Sequence, residues 1–226
     1  MRQMLRWGAY VLAGLMALPV VLTLAYSVVP PVSTLMLRDL VLLRGYDRDW
    51  IGLDEVAAVL ENSVLASEDQ TFCDHNGVEW PALRAQFDRW RAGEEARGAS
   101  TLSMQVARNL FLWQGPSVVR KSLEVPLAVL IDTVWSKRRM MEVYINIAEL
   151  GPQVYGFEAM AQQAFGRSAA DVSRRQAALM VAALPLPSER NPAQPTGRQA
   201  WLADVISARA QRMGGYNACL APPEAR

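Results

Sequence analysis

Residues 7 to 37 carry no charged side chain, and from Val11 to Leu22 only Gly14 and Pro19 interrupt an apolar run. A helix of about 20 apolar residues spans a bilayer, so the stretch from Trp7 to about Val29 predicts a transmembrane helix with room for some tilt. Arg2 and Arg6 stand before it, which by the positive-inside tendency keeps residues 1–6 in the cytoplasm and sends the rest of the chain outside. A cleaved signal peptide is the competing reading, since Thr23-Leu24-Ala25 ends in small residues. The apolar run, however, exceeds an h-region of about 7–15 residues and continues past that point. The segment therefore reads as an uncleaved anchor over 7–29. Pro30 and Pro31 end it, and residues 30–44 form a juxtamembrane segment. There Met36, Leu37 and Leu40 either enter the headgroup layer beside Arg38 and Arg44 or open the core of the following domain.

Only one histidine, His75, and two cysteines, Cys73 and Cys219, occur in the chain. That excludes multi-histidine metal sites and zinc ribbons, so any metal must sit on carboxylates and ligand oxygens. The formal charge is +1, which excludes a strongly basic nucleic-acid binder. Lys121 and Lys137 are the only lysines, and residue 118, three before the first, is Val, as is residue 134, three before the second. The Ser-x-x-Lys and Lys-Thr-Gly signatures of a penicillin-sensitive transpeptidase are therefore absent.

From about 45 to 226 the pattern predicts a single, mainly α domain. Asp54 is placed to cap a helix ending near Glu68, and a polar run over 91–98 reads as a surface loop. Ser100 or Thr101 caps a helix through about Leu112; helices follow over 120–135 and 137–149, the latter with Met141, Tyr144, Ile145 and Ala148 at the spacing of a buried stripe. Gly156 precedes another helix, and the pairs Ser173/Gln176 and Thr196/Gln199 are capping-box signatures of the last two.

Four clusters on this frame carry chemistry. Glu68-Asp69 ends a helix of small and apolar residues, where the macrodipole disfavours a carboxylate and partial burial raises its pKa toward that of a general base. Gly98-Ala99-Ser100-Thr101 opens a helix on which Gln105, Arg108 and Asn109 share one face, a polar grip suited to a sugar phosphate. Arg120 and Lys121 lie four and three residues before Glu124. Arg138, Glu142 and Asn146 form an i, i+4 series. Six basic residues fall between 108 and 139, a local positive field suited to phosphate or pyrophosphate.

These residues resemble, in order, the motifs of the monofunctional peptidoglycan glycosyltransferases, a membrane-anchored family of lysozyme-like fold also found as one domain of bifunctional penicillin-binding proteins. The matching stretches are Glu68-Asp69-x-x-Phe72-x-x-His75-x-Gly77, Gly98-x-Ser100-Thr101-Leu102-x-x-Gln105 with Asn109 and Phe111, Arg120-Lys121-x-x-Glu124, Glu142-x-Tyr144-x-Asn146 with Gly151, and the region of Ala177-Ala178-Leu179 and Leu184-Pro185. The resemblance implies polymerisation of lipid II into β-1,4-linked glycan, with inversion and loss of undecaprenyl pyrophosphate. It makes Glu68 the general base and Glu124 the second catalytic carboxylate, which orients Arg120 and Lys121 or holds a divalent cation, Mg2+ or Mn2+. It assigns substrate binding to Asp69, Phe72, His75, Ser100, Thr101, Gln105, Arg108, Arg120, Lys121, Arg138 and Asn146, supported by Asn109, Glu142 and Tyr144. It also implies a bacterial inner-membrane protein with a periplasmic catalytic domain, partnered by transpeptidase or division proteins.

Arg108 stands where the family commonly has lysine, Asp132 where glutamate is usual, Met104 where a polar residue is common, and Gln176 where glutamate is frequent. Neither candidate catalytic glutamate is lost. A lytic enzyme of the same fold class has no need of a cation cluster, and a non-catalytic scaffold has no need of both glutamates. An external compartment permits a Cys73–Cys219 disulfide that would pin the C-terminal tail beside the Glu68 loop, and free thiols are the alternative.

Overall fold

The apolar run folds as one helix, α1 (Arg2–Tyr26), in a computed structural model that describes residues 2–94, 98–115 and 117–222. Its segment Arg6–Tyr26 is long and apolar enough to cross a membrane, and only 6% of it is buried, so it is not a core helix. Pro19 lies inside it, and the Thr23 hydroxyl donates back to the Pro19 carbonyl at 2.7 Å. A helix end leaves carbonyls without partners. Here the rest of the chain supplies them. Trp135 Nε1 donates to the Thr23 carbonyl at 2.7 Å, and the Arg139 guanidinium donates to the carbonyls of Tyr26 and Val29 at 2.9 and 2.8 Å. Arg48 Nη1 takes the Pro31 carbonyl at 2.5 Å.

Ser33 accepts from the Met36 amide and opens α2 (Thr34–Val41). This short helix resolves the open reading of the juxtamembrane segment residue by residue. Leu35, Met36 and Asp39 are buried in the domain, whereas Leu37, Leu40 and Val41 stay exposed. Met36 therefore takes the second of the two readings, as a core residue, because the capped first turn directs it inward.

The remaining helices are α3 (Ala58–Glu68), α4 (Trp80–Arg91), α5 (Leu102–Phe111), α6 (Val118–Val134), α7 (Lys137–Ile147), α8 (Phe157–Phe165), α9 (Arg174–Val181) and α10 (Gly197–Ala210). A two-stranded antiparallel sheet, β1 (Glu149–Gly151) with β2 (Val154–Tyr155), follows α7. The chain is mainly α, with helix α5 packed on α6 and α7, and α3 on α9 and α10. At the centre lies α7, whose Met140, Met141, Val143, Tyr144, Ile145 and Ile147 are all buried. Burying each large apolar side chain contributes about 1.5–3 kcal/mol, so this helix is a rigid support for the polar groups it carries.

Several boundaries differ from the sequence reading. Asp54 caps nothing: Leu53–Glu55 make one 3-10 turn, Val56 is extended, and α3 starts only at Ala58. The helix expected over 137–149 stops at Ile147, since Ala148 turns extended and its carbonyl accepts the Gly156 amide at 2.9 Å to close the hairpin. At Gly156, φ is +85° and a Cβ would stand 3.1 Å from the Asn146 carbonyl oxygen, so glycine lets the hairpin meet the helix end. Helix α4 was not expected. Residues 95–97 of the expected polar loop lie outside the described residues.

Candidate active site

The carboxyl end of α3 delivers Glu68 half-buried into a cleft of about 510 Å³, lined also by Ser67, Ser100, Gln105, Arg108, Asn109, Gln114, Tyr144, Glu149 and Leu184-Pro185. Both Glu68 oxygens are held. Ser67 Oγ donates to Oε1 at 2.7 Å and Gln105 Nε2 to Oε2 at 3.1 Å. Gln105 is in turn oriented by the Tyr144 hydroxyl, which donates to its Oε1 at 3.3 Å. Tyr144 is fully buried, and burial followed by the nearby Glu68 charge pushes its phenol far above the ordinary range, so it is a permanent donor.

Beside Glu68 the chain runs into a loop fixed from four sides. Asp69 Oδ2 accepts the Leu102 amide at 2.8 Å, and His75 Nε2 sits 3.0 Å from the same carboxylate. Lys137 Nζ donates to the His75 carbonyl at 2.6 Å, and Thr101 Oγ1 to the Gly77 carbonyl at 2.6 Å. Gly77 has φ +82°, and a Cβ there would lie 2.7 Å from the Ala128 carbonyl oxygen, so only glycine lets the loop lie against α6. The fourth tie is covalent: Cys73 and Cys219 form a disulfide with a Cα separation of 5.5 Å, which selects the bridged alternative and brings the C-terminal tail to the loop.

Next to the cleft lies the cationic cluster. Glu124 is 1% exposed, paired with Arg120 and, at 2.9 Å, with Lys121, whose Nζ also donates to Ser100 Oγ at 2.5 Å. Burial, then the neighbouring Arg108 and Arg120 charges, lower the Lys121 pKa to about 8. Arg108 is itself lowered by burial, against the attraction of Tyr144 and Glu68, and its Nε is buried with no partner among the described residues. A guanidinium left with an unmet donor in a cleft is a binding group for an anion. Glu124 does not fit the role of a metal ligand in a protein cage. Both of its oxygens serve cations, and among the described residues no three His, Cys, Asp or Glu side chains gather to hold an ion.

The structure thus brings Glu68, Ser100, Gln105, Arg108, Asn109 and Tyr144 to one cleft, with Arg120, Lys121 and Glu124 joined to it through Ser100. Asp69 and Thr101 border a smaller adjoining recess and are themselves buried. Other expected binding residues are corrected. Phe72 is wholly buried, with the Lys137 ammonium 4.7 Å from its ring centroid, and His75 serves Asp69. Asn146 is wholly buried, bonding the amide and carbonyl of Ile51 and the carbonyl of Glu142. Arg138 reaches the Leu220 carbonyl and Asp54, away from the cleft, while Glu142, expected only as a support, pairs with Arg139 at 2.6 Å. These side chains stabilise the frame because a buried polar group needs a partner inside the protein. Glu149 and Gln114 line the cleft without a sequence signal, each lying outside any recognisable spacing.

The family model described as Transglycosylase matches residues 36–211. A biosynthetic peptidoglycan transglycosylase of Rhizobium meliloti (strain 1021) is 51% identical over 213 residues, covering 93% of this chain and 90% of the relative. Proteins of the same description from Mesorhizobium japonicum and Brucella suis biovar 1 are 52% and 50% identical, covering 97% and 95% of this chain and 94% and 99% of theirs.

Proposed function

The chain belongs to the transglycosylase family, and from that premise we propose that this glycosyltransferase of peptidoglycan synthesis polymerises lipid II with Glu68 as general base. The observation that carries the reading is the pairing, in one cleft, of a carboxylate held by Ser67 and Gln105 with the under-partnered guanidinium of Arg108. The acceptor's 4-hydroxyl gives its proton to Glu68 as its oxygen attacks the donor's anomeric carbon from the face opposite the leaving group. The new C–O bond forms as the bond to pyrophosphate breaks, and the electron pair leaves on undecaprenyl pyrophosphate with inversion. Arg108, Lys121 and Arg120 hold that developing anion, so no acid needs to protonate it.

Ser100 and Asn109 position the donor's phosphate and sugars, and Glu124 keeps Arg120 and Lys121 aimed. A divalent ion, Mg2+ or Mn2+, would arrive on the pyrophosphate oxygens rather than in a carboxylate cage, and EDTA titration of the rate measures that need. The α1 helix anchors the enzyme in the bacterial inner membrane, with its N-terminus cytoplasmic, residues 7–29 as the anchor and the catalytic domain periplasmic. Cross-linking falls to a partner transpeptidase or division complex, since the chain lacks the transpeptidase motifs.

The test is incubation of the purified chain with labelled lipid II and separation of the products. Wild type makes polymer, and Glu68→Gln, which keeps shape but cannot take the proton, loses about 10²- to 10⁴-fold in rate while still binding lipid II. Polymerisation by Glu68→Gln at the wild-type rate overturns the assignment of the base.

A further inference from the structure

Glu149 lines the same cleft as Glu68 and enters no step above. It is half-buried at the start of β1, and among the described residues its carboxylate has no hydrogen bond or ion pair to another group of the chain. The nearby guanidinium of Arg38 is engaged with Asp39 at 3.1 Å, and Asp39 in turn accepts the Tyr155 hydroxyl at 2.6 Å. Burial raises the carboxyl pKa of Glu149, with Arg38 opposing and Asp39 adding to the rise. A carboxylate partly withdrawn from water is stabilised by donors, and among the described residues none reaches it. A ligand in the cleft can supply them in place of water.

The charges around the cleft are also divided. The charged neighbours of Arg108 are Glu68, Arg120 and Lys121, whereas those of Glu149 are Arg38 and Asp39. A pyrophosphate is repelled by Glu149 and attracted by the Arg108 group, while neutral sugars bring the O–H and N–H donors that a carboxylate lacks.

We propose that Glu149 is a specificity-determining residue that accepts hydrogen bonds from hydroxyl and acetamido N–H donors of the donor glycan. The strand then lies with its pyrophosphate at Arg108 and Lys121 and its sugars at Glu149. This assignment rests on the glycosyltransferase reading above, and it adds a direction to the bound donor.

The test compares the full-length wild type with Glu149→Gln, Glu149→Ala and Arg108→Ala, each first matched to wild type by thermal unfolding. Lipid II kinetics are measured beside binding of a pyrophosphate-free tetrasaccharide of alternating N-acetylated hexosamines and inhibition by inorganic pyrophosphate. A hydrogen bond to a charged group is worth roughly tenfold or more in affinity, and a neutral one less. Glu149→Ala should therefore raise KM about tenfold or more with kcat within about twofold, and Glu149→Gln should lose about threefold. Tetrasaccharide affinity should fall in step while pyrophosphate inhibition is unchanged, and Arg108→Ala should show the reverse pattern. Unchanged tetrasaccharide binding in Glu149→Ala, or a loss confined to kcat, overturns the proposal. If Glu149→Ala does not fold, Glu149→Gln carries the same test by its shape. A wild type that makes no polymer defeats the function reading, whereas an active wild type with an indifferent Glu149 defeats this inference alone.

Discussion

The amide of Gln105 spans the distance between Glu68 and the core, donating to the Glu68 carboxylate at 3.1 Å and accepting the hydroxyl of buried Tyr144 at 3.3 Å. The proposed base is therefore aimed by a residue on another helix, and that residue by a third.

Gln105→Ala removes a donor from a charged acceptor and leaves the Tyr144 hydroxyl buried without a partner. A fall in kcat of about 10- to 100-fold is expected, with Tyr144→Phe losing only about two- to tenfold. Steady-state polymerisation of lipid II measures both. The reverse order of severity would show that Tyr144 acts on the substrate rather than through Gln105.

Lys121 sets a limb of the pH profile. Its pKa is lowered to about 8 by burial and by Arg108 and Arg120, so its positive charge is present below that pH and lost as pH rises through it. In the proposed function that charge serves the pyrophosphate, so kcat/KM should decline above about pH 8. Lys121→Arg keeps its charge throughout, so its profile should stay flat there even at a lower plateau. A wild-type profile flat to about pH 10 would remove Lys121 from the anion site.

Glu61 on α3 couples stability to pH. Burial, and to a smaller degree Asp54, raises its carboxyl pKa to about 7 against the opposing charge of Arg138. A raised carboxyl binds its proton more tightly in the folded state, so its contribution is complete below the unfolded value of 4.5 and is lost as pH rises through about 7. Glu61→Gln should unfold at a higher temperature than wild type at pH 8, and the gap should close near pH 4.5. Thermal unfolding at the two pH values decides it.

The disulfide closes a sequence separation of 146 residues between Cys73 and Cys219. Restricting so long a loop in the unfolded chain stabilises the fold by about 2–5 kcal/mol, and the double Cys→Ser variant should melt roughly 5–15 °C lower. Protein made in an oxidising compartment should offer no thiol to alkylation before reduction. Two alkylatable thiols in that protein, or an unchanged melting temperature, would contradict the bridge.

Much of the helical frame is legible in the sequence because its starts are chemical. Ser173 accepts from the Gln176 amide and Gln176 reaches back, and Thr101, Ser117, Ser136 and Thr196 cap as hydroxyls do at helix starts. Helix α4 is absent from the sequence reading although Trp80, Leu83, Phe87 and Trp90 recur at helical spacing; the structure leaves that stripe outside the core, with no residue of the helix buried. The β1–β2 hairpin escaped because strands of three and two residues carry too little alternation to read.

Within the site, residues grouped by helical spacing, such as Arg120, Lys121 and Glu124, were recoverable from the sequence alone. A motif does not distinguish a residue that faces the cleft from one that supports it, which is why Phe72, His75 and Asn146 lie elsewhere than expected. Glu149 was invisible for the opposite reason. Its charged neighbours, Arg38 and Asp39, are brought to it only by the docking of α2.

Trp135, Arg139 and Arg48 together hold the backbone carbonyls of Thr23, Tyr26, Val29 and Pro31. A flexible tether would let the catalytic body swivel above the lipid, sampling every tilt. These contacts make the proposed anchor a keel: the carboxyl end of α1 is tied to the body that carries the cleft, so with α1 in a bilayer the membrane plane would become a coordinate of the active site. On the proposed function, a substrate whose tail stays in the lipid would meet Glu68 at a set height and angle, which would turn part of the search for a reactive orientation into a property of the first 31 residues of the chain.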